Sequence, residues 1–131
     1  MVGNQFLVDT DILLEHLNHK ENTNSFLEDA MVSGDCFTTV LNASEIYFAV
    51  QNSDEKFAVD VLMKSLKVLG IHARYSLSVN EYSGKIVSVR DSLICVMSKI
   101  NKLPVLTSDK KRYENSGIEI VDPEDLRRKQ I

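Results

Sequence analysis

Phe6-Leu7-Val8-Asp9-Thr10-Asp11-Ile12-Leu13-Leu14 is the stretch on which the fold turns. Three apolar residues run without a polar break and stop at an acid, the pattern of a short strand buried on both faces. Helical spacing then takes over. Leu13, Leu14 and Leu17 share one face, and Asp11 is expected to cap the helix that carries them. A buried strand passing straight into an amphipathic helix is the opening of a parallel α/β unit.

The rest of the chain repeats the alternation. Ser25 with Glu28 makes a capping box for a second helix, which Gly34 can close. Cys36-Phe37-Thr38-Thr39-Val40 is rich in strand formers. Asn42 is expected to start a helix with Ala43, Ile46, Tyr47 and Val50 at helical spacing. Another is expected from about Asp54 to Leu69, with Phe57, Val61, Leu62, Ser65, Leu66 and Leu69 inward and Gly70 as its stop. Ser78 with Glu81 opens a further one. Val89, Leu93, Val96, Met97 and Ile100 form the apolar stripe of the next.

Pro104 bars continuation of that helix, so Val105-Leu106-Thr107 reads as a strand, and Ile118 to Val121 as the last. Asp122-Pro123-Glu124-Asp125 followed by Arg127-Arg128-Lys129 is the charge order of a closing helix. The expected fold is α/β: a central parallel sheet of four or five strands flanked by helices, an α/β/α sandwich in one domain over residues 1–131.

Composition narrows the class. At 131 residues the chain suffices for one domain that buries roughly two-thirds of its unfolded surface. Hydrophobic residues at 44% and charged residues at 26% exclude a disordered chain. No apolar run reaches the length of about 20 needed to cross a bilayer, and no signal peptide opens the sequence, so a cytoplasmic location is expected. Cys36 and Cys95 sit in apolar stretches without CxxC spacing and are expected to be buried thiols. The net charge of −4 speaks against a simple basic nucleic-acid binder. That objection lapses if the acids are gathered to hold cations, because a bound metal reverses the local field.

Four acids carry that possibility. Asp9 ends the first strand, Asp109 follows the Val105-Leu106-Thr107 strand, Asp91 opens a helix, and Glu45 lies in the first turn after the second strand. Ligands of open α/β sheets collect at the carboxyl ends of strands. Each acid also has a structural explanation. Asp9 and Asp11 can cap, Glu45 can complete a capping box with Asn42, Asp91 can serve a helix dipole, and Asp109 can cap the turn at Lys110-Lys111. Taken together they imply more: like charges at one edge require protons or a shared cation, and hard oxygens suit Mg²⁺ or Mn²⁺.

At these residues the sequence resembles the PIN-domain family, and within it the small toxin ribonucleases of VapB–VapC-type toxin–antitoxin pairs. The matching stretches are Phe6 to Leu14, Leu41-Asn42-Ala43-Ser44-Glu45-Ile46-Tyr47, Val89-Arg90-Asp91-Ser92-Leu93-Ile94-Cys95, and Leu103-Pro104-Val105-Leu106-Thr107-Ser108-Asp109. The resemblance implies a PIN-like fold and one or two Mg²⁺ or Mn²⁺ ions held by the catalytic acids Asp9, Glu45, Asp91 and Asp109. Thr107 would support the cluster. It further implies endonucleolytic cleavage of RNA by a metal-activated water, leaving a 5′-phosphate and a 3′-hydroxyl. A homodimer and a cognate antitoxin are the implied partners.

Four positions depart from the family pattern. Asp11 stands where Asn is usual and adds a water-mediated metal contact to the expectations. Arg112 stands where many relatives have an acid, which counts against a full second metal site. Ser92 and Cys95 replace commoner small residues and are expected to affect packing only.

Phosphate contacts are expected from Lys110, Lys111 and Arg112, which directly follow a proposed ligand; Arg90, Lys99, Lys102 and the Arg127-Arg128-Lys129 run are the other available cations. His16 and His19 lack a third soft ligand for zinc. Val8-Asp9-Thr10-Asp11 also resembles the opening of haloacid-dehalogenase-type phosphatases, but Leu13 and the missing lysine motif argue against that class. The alternatives kept are a PIN-like module that binds RNA or protein without cutting, and a PIN nuclease outside toxin–antitoxin systems.

Overall fold

Phe6, Leu7 and Val8 complete strand β1 (Asn4–Val8), and all three side chains are buried. Successive residues of a strand point to opposite faces, so β1 feeds two cores at once. Phe6 and Val8 join one apolar cluster, and Leu7 joins the other. The computed structural model describes residues 4–129.

Helix α1 (Thr10–Asn18) follows directly, then α2 (Phe26–Ser33), β2 (Gly34–Thr39), α3 (Val40–Phe48), α4 (Ser53–Lys64) and β3 (Lys67–Leu69). Two short 3₁₀ turns, Ala73–Leu77 and Val79–Tyr82, lead to α5 (Val89–Asn101) and β4 (Val105–Leu106). A third 3₁₀ turn, Lys110–Tyr113, precedes β5 (Ile120–Val121) and α6 (Pro123–Lys129). The five strands form one parallel sheet in the order β3-β2-β1-β4-β5.

Helices cover both faces, as the alternating pattern requires. On one side Ile12 and Leu13 of α1, Leu27 and Ala30 of α2, Ile46 of α3, Val59 and Leu62 of α4 and Leu126 of α6 pack with Cys36 and Leu106. On the other, Ile94, Cys95, Val96 and Met97 of α5 pack with Leu7, Val105, Tyr82 and Tyr113. Both cysteines are buried and unpaired, and burial pushes the Cys36 thiol up to about 12 and the Cys95 thiol up to about 11. Burial and the raised pKa both disfavour the thiolate, the reactive form, at neutral pH.

Several local expectations change. Residues 67–69 continue the apolar spacing of α4 and were expected as its last turn. Instead α4 stops at Lys64, and Lys67, Val68 and Leu69 pair with Phe37, Thr38 and Thr39 along the open edge of β2. Leu62, Leu66 and Leu69 fit a helical repeat equally well, and an unpaired strand edge decided between the two. Gly34 ends α2 and begins β2 at once, in an extended conformation. Ser78 caps no helix: its side chain makes no capping bond, and only Tyr82 of the following short turn is buried.

The start of α3 also moves. Thr39, not Asn42, is the N-cap, and Asn42 is the third residue of a capping box with it. Glu45 is therefore released from the capping role. The capping box at Ser25 and Glu28 forms as expected. No helix among the described residues is long and apolar enough to cross a membrane.

Candidate active site

The strand order reverses at β1, whose neighbours are β2 on one side and β4 on the other. Such a switch point leaves a crevice at the carboxyl ends of the strands. Asp9 stands there because it is the residue between β1 and α1. Its backbone N–H bonds the Leu106 carbonyl at 3.1 Å, which ties it to β4. It is also the N-cap of α1: its Oδ1 accepts from the Thr10 N–H at 2.8 Å. Asp11, expected in that role, lies inside the helix.

Glu45 comes to the crevice from α3. Its Oε1 accepts from the Thr10 hydroxyl at 2.6 Å. Asp91 comes from the first turn of α5, where the Ser88 Oγ accepts the Asp91 N–H at 3.0 Å and fixes the helix start. Asn42, fully buried, links β2 to β1. It donates to Asp9 Oδ1 at 3.0 Å and Thr10 Oγ1 at 2.9 Å, and it accepts from Thr39.

Three of these acids meet at one group, the guanidinium of Arg90. Its Nη2 donates to Asp9 Oδ1 at 2.7 Å and to Glu45 Oε1 at 2.8 Å, and its Nη1 donates to Asp91 Oδ1 at 2.9 Å. Nε lies 3.3 Å from Glu45 Oε2. The Tyr113 hydroxyl closes the ring, accepting from Nη1 at 2.8 Å and donating to Asp9 Oδ2 at 2.5 Å. The carboxylate of Asp9 thus lies at the bottom of the crevice, 2% exposed and bonded on both oxygens.

The electrostatics follow from this arrangement. Burial pushes the Asp9 carboxyl up, but Arg90, Tyr113 and the Thr10 N–H outweigh it and hold the group below the usual carboxylate range. Burial and the Arg90 and Thr10 bonds act on Glu45 in the same opposed senses, and its value is also lowered. Arg90 is desolvated, yet Glu45 and Asp9 raise its pKa further, so it stays charged. Asp11 behaves differently. Burial pushes its carboxyl up, the Ser108 N–H opposes that, and the Asp9 charge adds to the rise.

Asp109 is placed less centrally. Its side chain is 53% exposed and meets the group through Arg112, whose Nε lies 3.6 Å from Asp109 Oδ2 and 3.8 Å from Asp91 Oδ2. It makes no side-chain cap to the turn it precedes. Asp11 points to the loop after β4, accepting from the Thr107 hydroxyl at 3.1 Å and the Ser108 N–H at 2.7 Å. Thr107, buried, also accepts the Asp109 N–H at 3.1 Å. The hydroxyl expected to support the cluster orders the Asp11 and Asp109 side of it.

The expected basic residues divide. Arg90 is committed to the acids and is not available to a phosphate as the chain stands. Lys110 pairs with Asp122 at 3.0 Å, and Lys99 with Glu81 at 3.2 Å. Arg127 pairs with Asp29 at 2.8 Å and covers the Phe26 ring, a structural role; the side chain of Lys129 lies outside the described residues. Lys111 is exposed, and Arg112 stands at the mouth of the crevice. His16 bonds Ser25 and His19 bonds Glu15 and the Thr23 carbonyl, so neither stands as a metal ligand.

Tyr113, Asn42 and Thr10 were not expected in the site, and Arg90 was expected only as a cation available to phosphate, not as the partner of the acids. Arg90 had a signal: it is a cation in the first turn of a helix, the end where the dipole disfavours positive charge. Such a residue needs acids nearby. Asn42 also had one, since it follows Thr39 by three residues.

The donor set fits a cation, as the guanidinium itself shows. Side chains from three distant segments converge on one positive group, which stands in for any other cation of that place. Their hard oxygens suit Mg²⁺ or Mn²⁺. As arranged, no three His, Cys, Asp or Glu side chains among the described residues are set to hold a metal ion, because the oxygens are spread around the planar fork of Arg90.

A family model described as "PIN domain" matches residues 6–117. The chain belongs to the PIN-domain family. Solved PIN-like chains agree with this one over most of their length. A chain of the DNA-bound VapBC of Salmonella typhimurium is 19% identical, with a TM-score of 0.74, covering 92% of this chain and 98% of that one. A chain of a toxin–antitoxin complex from Klebsiella pneumoniae is 16% identical with a TM-score of 0.74, covering 90% and 97%. FitAcB of Neisseria gonorrhoeae gives 18% and 0.70, covering 91% and 98%. At these identities the likeness is one of fold. No curated protein matches the PIN chain closely in sequence.

Proposed function

We propose that this PIN-domain protein is a divalent-metal-dependent endoribonuclease and the toxin component of a toxin–antitoxin pair. The observation that carries the reading is the convergence of Asp9, Glu45 and Asp91 on one cation position at the switch point of the sheet. The toxin–antitoxin part is supported by the fold shared with chains of the VapBC and Klebsiella pneumoniae toxin–antitoxin assemblies.

Asp9, Glu45 and Asp91 are the residues that would hold Mg²⁺ or Mn²⁺, with Asp109 at the open side. Bound there, such an ion would supply a water of lowered pKa and a Lewis acid for the scissile phosphate. The chain's own residues do the positioning. Asn42 and Thr10 orient Asp9 and Glu45, and Tyr113 keeps the second oxygen of Asp9 in place. Thr107 and Asp11 brace the loop that presents Asp109. Lys111 and Arg112, exposed beside the crevice, are the cations that would meet an RNA backbone. Phosphate contacts by cations make binding weaken with rising salt.

Exposed apolar residues on α3 and α4 support protein partners, a second copy and an antitoxin. Phe48 is 94% and Phe57 69% exposed, and Val40 and Val61 are also uncovered. A second reading, a PIN-like module that binds without cutting, is favoured by one observation: Arg90 already fills the cation position.

The deciding assay is cleavage of a structured RNA by pure protein with Mn²⁺, stopped by chelator. The expected result is cutting by the natural chain and a loss of about a hundredfold or more in Asp91→Asn, with the fold retained by circular dichroism. Full cleavage by Asp91→Asn would sink the nuclease reading. No Mn²⁺-dependent cleavage by the natural chain or by an Arg90 variant would favour the second one.

A further inference from the structure

We infer that Arg90 is a built-in competitor of the metal: its guanidinium and a divalent cation cannot occupy the acidic crevice together, so the ion enters only when Arg90 leaves. The inference rests on the metal-nuclease reading above, and its test is separable from that reading.

Geometry supports it. Arg90 touches each of the three acids that would hold the ion, at 2.7, 2.8 and 2.9 Å, using both terminal nitrogens. Those are charge-assisted contacts, the strongest class of hydrogen bond the crevice can make. The guanidinium is also held by the Tyr113 hydroxyl and the Thr10 Oγ1, so it is a fitted occupant. Its side chain is 19% exposed, which places it at the rim with a path to solvent. A divalent cation inserted among the same oxygens faces the guanidinium's positive charge within a few ångströms, a like-charge contact that disfavours holding both at once.

Arg90 is poorly placed without the acids. It is the second residue of α5, where the helix dipole repels positive charge, and it has no role in the apolar clusters. Removing it leaves Asp9 and Glu45 facing each other without their cation, and Asp91 with only the longer 3.8 Å contact to Arg112. The variant would then satisfy them with a metal from solution. An ion binding the folded form alone raises its stability by mass action.

The test is Mn²⁺ binding by calorimetry and Mn²⁺-dependent thermal shift, on the natural chain, Arg90→Ala and Arg90→Gln, without RNA. Expected is at least tenfold tighter Mn²⁺ binding in a folded Arg90 variant, with a larger rise in Tm. Adding Asp91→Asn should abolish the gain. If either variant is unfolded without metal, refolding on Mn²⁺ addition is the supporting result. Failure to refold, a variant that binds no more tightly than the natural chain, or a gain that survives Asp91→Asn overturns the inference. Tight Mn²⁺ uptake with RNA left uncut refutes the nuclease reading and leaves this one standing. Equal Mn²⁺ dependence of RNA cleavage in the natural chain and Arg90→Ala does the reverse.

Discussion

Replacing Asn42 by Asp is a severe test of how the crevice is held, because it changes one NH₂ to one oxygen. Asn42 is fully buried, and its amide nitrogen donates to Asp9 Oδ1 at 3.0 Å. In the variant, an oxygen faces that carboxylate. If both groups stay ionised, charges about 4 Å apart repel by about 4 kcal/mol at an effective dielectric of 20. If the new acid instead keeps a proton at pH 7, it does so roughly three units above its ordinary value, again about 4 kcal/mol. Both routes give the same answer. Arg90 offers little relief, being already shared among three acids.

For a chain of this size that loss lowers Tm by on the order of 15 °C. Urea denaturation at pH 7 should show the loss as a lower midpoint with an unchanged slope. Its pH dependence follows from the sign of the shift. The new carboxyl has a folded pKa above its unfolded one, so the penalty is full above the folded value and absent below the unfolded one. The deficit relative to the natural chain should therefore shrink as pH falls from 7 to 4. Asn42→Ala, which loses the bonds without adding a charge, should be less damaging at pH 7 and show no such recovery. A variant Asn42→Asp within about 1 kcal/mol of the natural chain, or a deficit that ignores pH, would refute the reasoning.

Tyr113→Phe removes the hydroxyl between Asp9 and Arg90 and leaves a buried charged acceptor short of one donor; a loss of about 1–3 kcal/mol is expected by urea denaturation, with the apolar packing of the ring retained. Ser25→Ala should cost about 1 kcal/mol by the same measurement, since Ser25 caps α2 and accepts from the Glu28 N–H at 3.2 Å. Glu28, on the other arm of that box, is held below its ordinary pKa by the Ser25 N–H, so its contribution is present above the unfolded value and lost as pH falls through the lowered one. The stability gap between the natural chain and Glu28→Ala should close between about pH 5 and pH 3 in thermal melts. Gly34→Ala places a methyl group 2.0 Å from the Asn4 carbonyl oxygen, and a backbone atom cannot step aside cheaply; a loss of about 1–3 kcal/mol at the β1–β2 pairing is expected in urea.

What was legible in the sequence was set by local signals. Phe6-Leu7-Val8 and Val105-Leu106 are apolar runs that only a strand covered on both sides can satisfy, and their order with the helices dictates a parallel sheet. Ser25 and Glu28 were readable because a capping box is a contact between near neighbours. The residues at 67–69 were not, because the same apolar spacing serves a helix, and the partner that makes them a strand lies thirty residues earlier at 37–39. Asn42 failed for a related reason. Its match with Glu45 and its match with Thr39 are both three residues apart, and the choice depends on where β2 stops.

The same distinction explains why the acids were visible and Arg90 was not. A carboxylate after a buried strand is conspicuous, since burial of an unpaired charge is costly. Three of them in one crevice demand positive charge, and that demand can be inferred from sequence without knowing who meets it. An external ion and an internal guanidinium answer it equally well on composition. Deciding between them requires knowing that residue 90, one step before Asp91 on α5, projects toward Asp9 and Glu45 rather than toward solvent. The charge requirement is therefore a property of the acids, whereas its first occupant is a property of the fold. Any ion that acts here has to replace a partner already bonded to all three.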